Sequence, residues 1–198
     1  MIRLTALFFF CLFFVLQVHP QSGKEKKQLP DEQLTPTELE LYKQITEYRS
    51  QKGLPEVKLS KSRCYVARTH AQDQTANYKY GSRCNLHSWS NDGKWSSCCY
   101  TPDHKKAACM WDKPRELTNY TGDGYEISFY STYRFESPEA TAKDILKGWK
   151  KSPGHNDVIM NKNTWKNVEW KAMGVAVYGD YSNVWFGKET DTEGEMVK

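Results

Sequence analysis

The stretch GWKKSPGHNDVIMN, residues 148–161, indicates the end of one helix and the start of another. Ser152 can cap the second helix, and Pro153 suits its first position because the missing N–H has no partner there anyway. His155 is then the third helical residue, among unpaired N–H groups at the positive end of the helix dipole. This position disfavours the imidazolium, so we predict a neutral, ligand-competent His155.

Similar patterns predict the starts of three earlier helices. Residues 35–38, Thr-Pro-Thr-Glu, form a capping box with Pro at the first helical position. Ser60 can cap a second helix, which we expect to run to about Tyr80 with Gly81 at its C-cap. Ser137 before a Pro opens a third helix by the same device, and Trp149 belongs to its buried face.

Alternating patterns predict three strands. Residues 125–130 alternate in strand period, and the runs 172–178 and 183–188 form a hairpin around a turn at 179–182. Helices mixed with hairpins predict an α+β layered domain with an antiparallel sheet. The many Trp and Tyr rings either cover this sheet or form a sugar-binding surface, and the first interpretation is favoured.

The N-terminus has the pattern of a secretory signal. Arg3 precedes an apolar run from Leu7 to Val18 that is too short to span a bilayer, so we predict a signal peptide over residues 1–20. The alternative is a retained signal anchor. A polar linker follows over residues 21–33, and residues 191–198 form a tail. We therefore predict a secreted protein, extracellular or periplasmic, that is not an integral membrane protein once the signal is cleaved.

Charge and cysteine content narrow the class further. A net charge of +4 with interspersed signs argues against nucleic acid as a partner. Of the six cysteines, Cys11 leaves with the predicted signal peptide, and the other five suggest up to two disulfides and one thiol left over. Adjacent Cys98 and Cys99 should have different partners, and a bridge from one of them to Cys109 is preferred. No Cys-x-x-Cys pair supports zinc binding by these cysteines. The five candidates are Cys64, Cys84, Cys98, Cys99 and Cys109.

Three residues stand out as a candidate site. His87, His155 and Glu126 could bind Zn²⁺ with an open position for water, or form a proton-transfer pair. His70 lies on the apolar face of the second helix and is expected to be a buried histidine bonded to nearby backbone. His104, between Asp and Lys, is expected to be an exposed loop residue.

The segments NLHSWS, GYEI, GWKKSPGHNDVIMN and KAMGVAVY…VWFGKET occur in an order that resembles the CAP superfamily of cysteine-rich secretory, antigen five and pathogenesis-related one proteins. The Trp-x-x-Ser-Pro-Gly-His string is closest to the microbial-type branch. The resemblance implies a single CAP domain over residues 34–190, folded as an α-β-α sandwich with a central antiparallel sheet. A cysteine-rich insertion at about residues 91–118 departs from the usual core pattern.

The resemblance also implies a cleft with two histidines and two acids. His87 and His155 match the histidines, and Glu126 matches the glutamate of the family's Gly-Glu-Asn stretch. Ser152 occupies the place of the second glutamate, three residues after Trp149. The implied metal is zinc, held by the two histidines with Glu126 as a further candidate ligand.

Three functions follow from this resemblance and these residues. The first is a secreted binding protein whose ligand is a lipid or sterol, a cell-surface component or a protein partner. The second is a metal-assisted hydrolase of peptides or cell-wall polymers. The missing second acid and the absence of a Gly-x-Ser-x-Gly nucleophile count against it, so a role other than enzyme is favoured. The third is a buried hydrogen-bond network that only fixes the cleft.

Overall fold

The computed structural model describes residues 27–133 and 135–196. The predicted signal peptide and linker residues 21–26 lie outside the described residues. The helices are α1 (Pro36–Ser50), α2 (Lys61–Asn77), α3 (Ala108–Trp111), α4 (Lys113–Leu117), α5 (Pro138–Lys151) and α6 (Pro153–Ile159), with a 3-10 turn at Asn163–Trp165. The strands are β1 (Tyr125–Tyr130), β2 (Ala172–Tyr178) and β3 (Tyr181–Gly187).

The predicted starts of α1, α2 and α5 are confirmed by their hydrogen bonds. Thr35 and Glu38 form the reciprocal capping box of α1. The Ser60 and Ser137 side chains accept from backbone N–H groups at the starts of α2 and α5. The predicted end of α2 is wrong, because the helix stops at Asn77 and Tyr78 adopts an extended conformation, with ψ 130°.

The sheet has three antiparallel strands in the order β1-β3-β2. The turn between β2 and β3 is shorter than predicted. Strand β3 begins at Tyr181, so only Gly179 and Asp180 form the turn. Gly179 has a φ of +54°, which glycine adopts without steric cost.

Each face of the sheet packs against helices. On one face, Val184 and Phe186 of β3 pack in a hydrophobic core with residues of α1, α5 and α6. On the other face, Trp185 packs in a second core with residues of α2 and of the segment from Trp89 to Met110. The two cores confirm the predicted α+β fold and give it three layers, with the sheet in the middle.

The layer formed by α2 lies unusually close to the sheet. A Cβ placed on Gly174 of β2 would stand 2.0 Å from the backbone carbonyl carbon of Arg63. No flexible side chain separates the two backbones, so glycine is required at this position for α2 to lie where it does.

Two disulfides staple the segment between α2 and β1. Cys98 pairs with Cys109, as preferred from the sequence, and Cys99 pairs with Cys84. Cys64 is a buried free thiol in α2. The segment also contains the short helices α3 and α4, which the sequence patterns did not predict. Among the described residues, no helix is long and apolar enough to cross a membrane.

Candidate functional site

A cleft of about 750 Å³ lies where β1, α6 and the stapled segment meet. His87, Glu126 and His155 all line it, although they are far apart in the sequence. Glu126 comes from β1, near the edge of the sheet, and His155 comes from the first turn of α6. The fold thus brings the three predicted site residues together.

Glu126 is the central group, because two histidines bind its two carboxylate oxygens. Its Oε1 contacts Nδ1 of His70, and its Oε2 lies 2.8 Å from Nδ1 of His87. Burial alone raises the pKa of the Glu126 carboxyl, but the charges and hydrogen bonds of the two histidines outweigh burial and hold this pKa at about 2. Glu126 is therefore an ionised acceptor, and both Nδ1 atoms donate to it.

His70 is fully buried on α2 and joins the site by a route that the sequence did not indicate. Its Nε2 lies 2.9 Å from the backbone oxygen of Ser88, as the expected backbone bond requires. Because that oxygen can only accept, Nε2 carries a hydrogen, and both ring nitrogens of His70 are donors. His70 and Glu126 then form a buried ion pair, and the ring of Trp89 stacks on His70 at 4.3 Å.

His87 and His155 face each other in the cleft. Their ring centroids are 6.3 Å apart and their planes are inclined by 70°. Glu126 accepts a hydrogen bond from Nδ1 of His87, so Nε2 is the nitrogen of this ring that remains for a ligand. His155 is uncharged at neutral pH because burial, and secondly the neighbouring His87, lower its pKa to about 4, against an opposing effect of Glu126. The neutral state was predicted, but from the helix terminus rather than from these causes.

Aromatic side chains form a wall of the cleft. Tyr125 packs against Trp111 and Trp165 with centroid distances of 5.8 and 5.1 Å, and all three line the cleft. The Lys188 ammonium lies 4.8 Å from the centroid of the Tyr125 ring. The cleft therefore combines polar histidine side chains with the ring surfaces of this wall.

His104 is exposed, as expected, but it also belongs to the cleft wall. Its Nδ1 lies 2.9 Å from the Tyr100 hydroxyl, and the Tyr100 ring packs 5.1 Å from His87. Tyr100 and His104 reach this position because the Cys98–Cys109 disulfide closes their loop. The stapled insertion thus contributes directly to the cleft.

Ser152 lies at the junction of α5 and α6, at the N-cap position, but its side chain makes no capping hydrogen bond. It is also outside the set of residues that line the cleft. In residues 27–133 and 135–196, no group of three or more His, Cys, Asp or Glu is arranged to hold a metal ion.

Sequence reasoning left His70, Tyr100, Trp165 and Lys188 out of the site. For His70 the sequence signalled only that a histidine on an apolar helix face needs a partner for each ring nitrogen, and it did not indicate that Glu126 is one of them. The aromatic residues carried no signal, since their position depends on how the stapled segment and the 3-10 turn approach β1.

The three-layer sandwich with paired histidines in its cleft defines a CAP-type domain. Residues 42–187 match the family model of CAP, the cysteine-rich secretory protein family, and the chain belongs to this family. A sequence comparison with curated proteins gives no match.

Solved bacterial structures share the fold. An extracellular protein containing an SCP domain from Bacillus anthracis has a TM-score of 0.51 and 17% identity, over 80% of this chain and 45% of its own. A cysteine-rich secretory protein from Staphylococcus aureus has a TM-score of 0.51 and 18% identity, over 85% of this chain and 44% of its own. An outer surface protein from Borrelia burgdorferi has a TM-score of 0.50 and 15% identity, over 81% of this chain and 100% of its own. This chain therefore spans less than half the length of the first two.

Proposed function

We propose that this protein is a secreted binding protein whose cleft holds a divalent metal ion beside an apolar ligand. Zinc is the metal that we favour. The observation that carries the proposal is the pair of His87 and His155, whose ring centroids lie 6.3 Å apart in the cleft, with His155 uncharged at neutral pH. Two disulfides and the extracellular or surface origin of the structural relatives support secretion.

The side chains of His87 and His155 suit a zinc ion that binds weakly and exchanges with solvent. Imidazole is a preferred zinc ligand, and a carboxylate that accepts from the other ring nitrogen orients it, as Glu126 does for His87. Both Glu126 oxygens are already engaged, so we assign it to support rather than to direct ligation. Bound zinc would supply a Lewis-acidic anchor, while His87 and His155 would hold it and leave positions open to solvent or ligand.

The aromatic wall argues for an apolar ligand body. Trp111, Tyr125 and Trp165 offer ring surfaces over much of a cleft of about 750 Å³, a volume typical of sites for small molecules. A lipid or sterol suits this wall best among the ligands that the family resemblance implies. A cell-surface component or a protein partner would instead have to insert an apolar group into the cleft.

The residues give less support to the hydrolase alternative. A general base works best with a pKa near the working pH, and Glu126, with a pKa of about 2, is a poor acceptor of protons. Ser152, in place of a second acid, does not line the cleft.

Calorimetry with zinc tests the metal site. We expect binding by the wild type at pH 7 and at least a tenfold loss in both His87→Ala and His155→Ala. His104→Ala is the matched control, since it removes a histidine from the same cleft but not from the pair. Wild-type binding should also weaken as the pH falls through the histidine range. Zinc affinity unchanged in both pair variants would contradict the metal site.

Binding of a fluorescent sterol, followed by energy transfer from tryptophan, tests the ligand class separately. We expect Trp165→Ala to weaken it and Trp95→Ala, outside the cleft, to leave it unchanged. Equal affinities of these two variants would contradict the proposed position of the ligand.

A further inference from the structure

Exposed aromatic side chains are concentrated at the end of the sheet away from Glu126. Among the described residues, the large hydrophobic side chains that remain more than a third exposed are all aromatic. They are Tyr80, Tyr130, Tyr133, Phe135 and Tyr178. None is aliphatic, and four carry a hydroxyl group. A cluster of exposed rings of this kind marks an interaction surface.

Tyrosines lie in a row at this end of the sheet: the strand register aligns three of them, and ring contacts link four. In the sheet register, Tyr181 lies directly opposite both Tyr130 and Tyr178, so tyrosine occupies the same level on all three strands. The Tyr181 ring packs 5.2 Å from Tyr130, which in turn packs 5.9 Å from Tyr80. On its other side, Tyr181 packs 6.1 Å from Tyr78. We call Tyr78, Tyr80, Tyr130, Tyr178 and Tyr181 the tyrosine row.

A second pocket, of about 400 Å³, begins where the tyrosine row ends, because Tyr78 belongs to both. Its walls carry amides, hydroxyls and a carboxylate, among them Asp73, Asn77 and Asn91. Trp89 also lines the pocket, and its buried indole Nε1 has no hydrogen-bond partner among the described residues. The pocket shares no lining residue with the histidine cleft.

We propose that the tyrosine row and this pocket together bind an uncharged carbohydrate chain. The faces of aromatic rings are electron-rich and attract the C–H face of a sugar ring, while phenol, amide and hydroxyl groups bond to sugar hydroxyls. The surface has almost no net charge, because the pocket is lined by one acid, Asp73, and one base, Lys79, and the tyrosine row carries no formal charge. It therefore favours an uncharged ligand. Asp73 is moreover occupied by hydrogen bonds from Ser90 and Asn77.

The surface is separate from the metal and ligand cleft. Tyr130 follows Glu126 by four residues along β1, which corresponds to about 13 Å at the rise of a strand. Substitutions in the row can therefore be examined without touching His87 or His155. Tyr80 is 82% exposed, so its replacement leaves the hydrophobic cores intact.

The inference can be tested by probing an array of neutral oligosaccharides with the labelled full-length protein. The array should contain cello-, chito-, xylo- and manno-oligosaccharides. We expect binding to at least one of these, and calorimetry with that oligosaccharide should show about a tenfold loss in Tyr80→Ala and in Tyr178→Ala. Tyr80→Phe and Tyr178→Phe keep the rings and should retain most of the affinity. Asn91→Ala should weaken binding through the pocket, and His155→Ala should bind like the wild type.

Several results would overturn the assignment. These are the absence of binding to every neutral oligosaccharide, binding only to anionic chains such as heparin, and wild-type affinity in both alanine variants. Binding of the wild type to phosphatidylcholine vesicles, lost in the same two variants without any carbohydrate binding, would assign the row to a membrane surface instead.

Discussion

Replacing Glu126 by Gln and by Ala should have very different effects on stability. The Gln amide can accept from Nδ1 of His87 with its oxygen and donate to Nδ1 of His70 with its nitrogen. His70 then needs a hydrogen only on Nε2, where it still donates to the oxygen of Ser88, 2.9 Å away. Every hydrogen bond of the cluster survives in Glu126→Gln, with His70 neutral instead of charged. In Glu126→Ala, both Nδ1 atoms lose their acceptor.

The magnitudes follow from burial. His70 and the Glu126 side chain are fully buried, so removing the carboxylate leaves an uncompensated buried cation or forces His70 to deprotonate without a partner. Breaking a buried pair in this way costs about 3–5 kcal/mol. Glu126→Gln exchanges charged hydrogen bonds for neutral ones of the same geometry, which we expect to cost on the order of 1 kcal/mol.

Urea unfolding at pH 7, followed by tryptophan fluorescence, gives the free energy of unfolding for the wild type, Glu126→Gln and Glu126→Ala. His104→Ala serves as the control, because it removes a histidine from the cleft without touching the Glu126 cluster. If Glu126→Gln lowers the free energy of unfolding as much as Glu126→Ala does, the charge itself stabilises the cluster and the hydrogen-bond reasoning is refuted.

Four further predictions concern single features. Trp149→Ala, in the core, should cost about 3–5 kcal/mol and His155→Ala about 1 kcal/mol or less, so similar melting temperatures would make His155 a structural residue. Gly174→Ala should cost about 3 kcal/mol in urea unfolding because its Cβ meets backbone, whereas Gly154→Ala, with open space around its Cβ, should stay within about 0.5 kcal/mol; equal costs would contradict the close approach of α2. Because the folded pKa of His155 is about 4, below its usual 6.5, the unfolded chain takes up the proton first, and stability should fall as the pH falls from 6.5 through 4. His155→Ala should reduce this slope, and an unchanged slope would refute the assignment. Peptide mapping without reduction should find Cys98–Cys109 and Cys84–Cys99, and Cys98→Ser with Cys109→Ser should cost about 3 kcal/mol; alkylation of Cys84, Cys98, Cys99 and Cys109 in the unreduced protein would exclude both bridges, whereas Cys64 is expected to be a free thiol.

The sequence predicted those parts of the fold that depend on local signals. Ser or Thr before Pro marks helix starts within a few residues, so α1 and α5 begin where expected. The end of α2 was missed because Tyr78 leaves the helix to pack against Tyr181, more than a hundred residues later. No local signal reports such a contact.

The candidate site, too, could be predicted only in part. His87, Glu126 and His155 could be selected from their residue types and from the family resemblance. The role of His70 could not, because Glu126, its partner, lies 56 residues away on another element. The aromatic wall depends on the stapled segment, whose two short helices, α3 and α4, have too few residues to give a periodic pattern.

The strand order β1-β3-β2 has a consequence for the order of events during synthesis. β1 and β2 pair only with β3 and not with each other, and β3 is the last strand of the described chain. A chain that emerges from the ribosome N-terminus first cannot form any strand pair of this sheet until residues 181–187 have appeared. The growing chain therefore lacks its central layer through nearly all of translation. Assembly of the sheet then becomes a single late event, after the helices that cover its two faces have been synthesised.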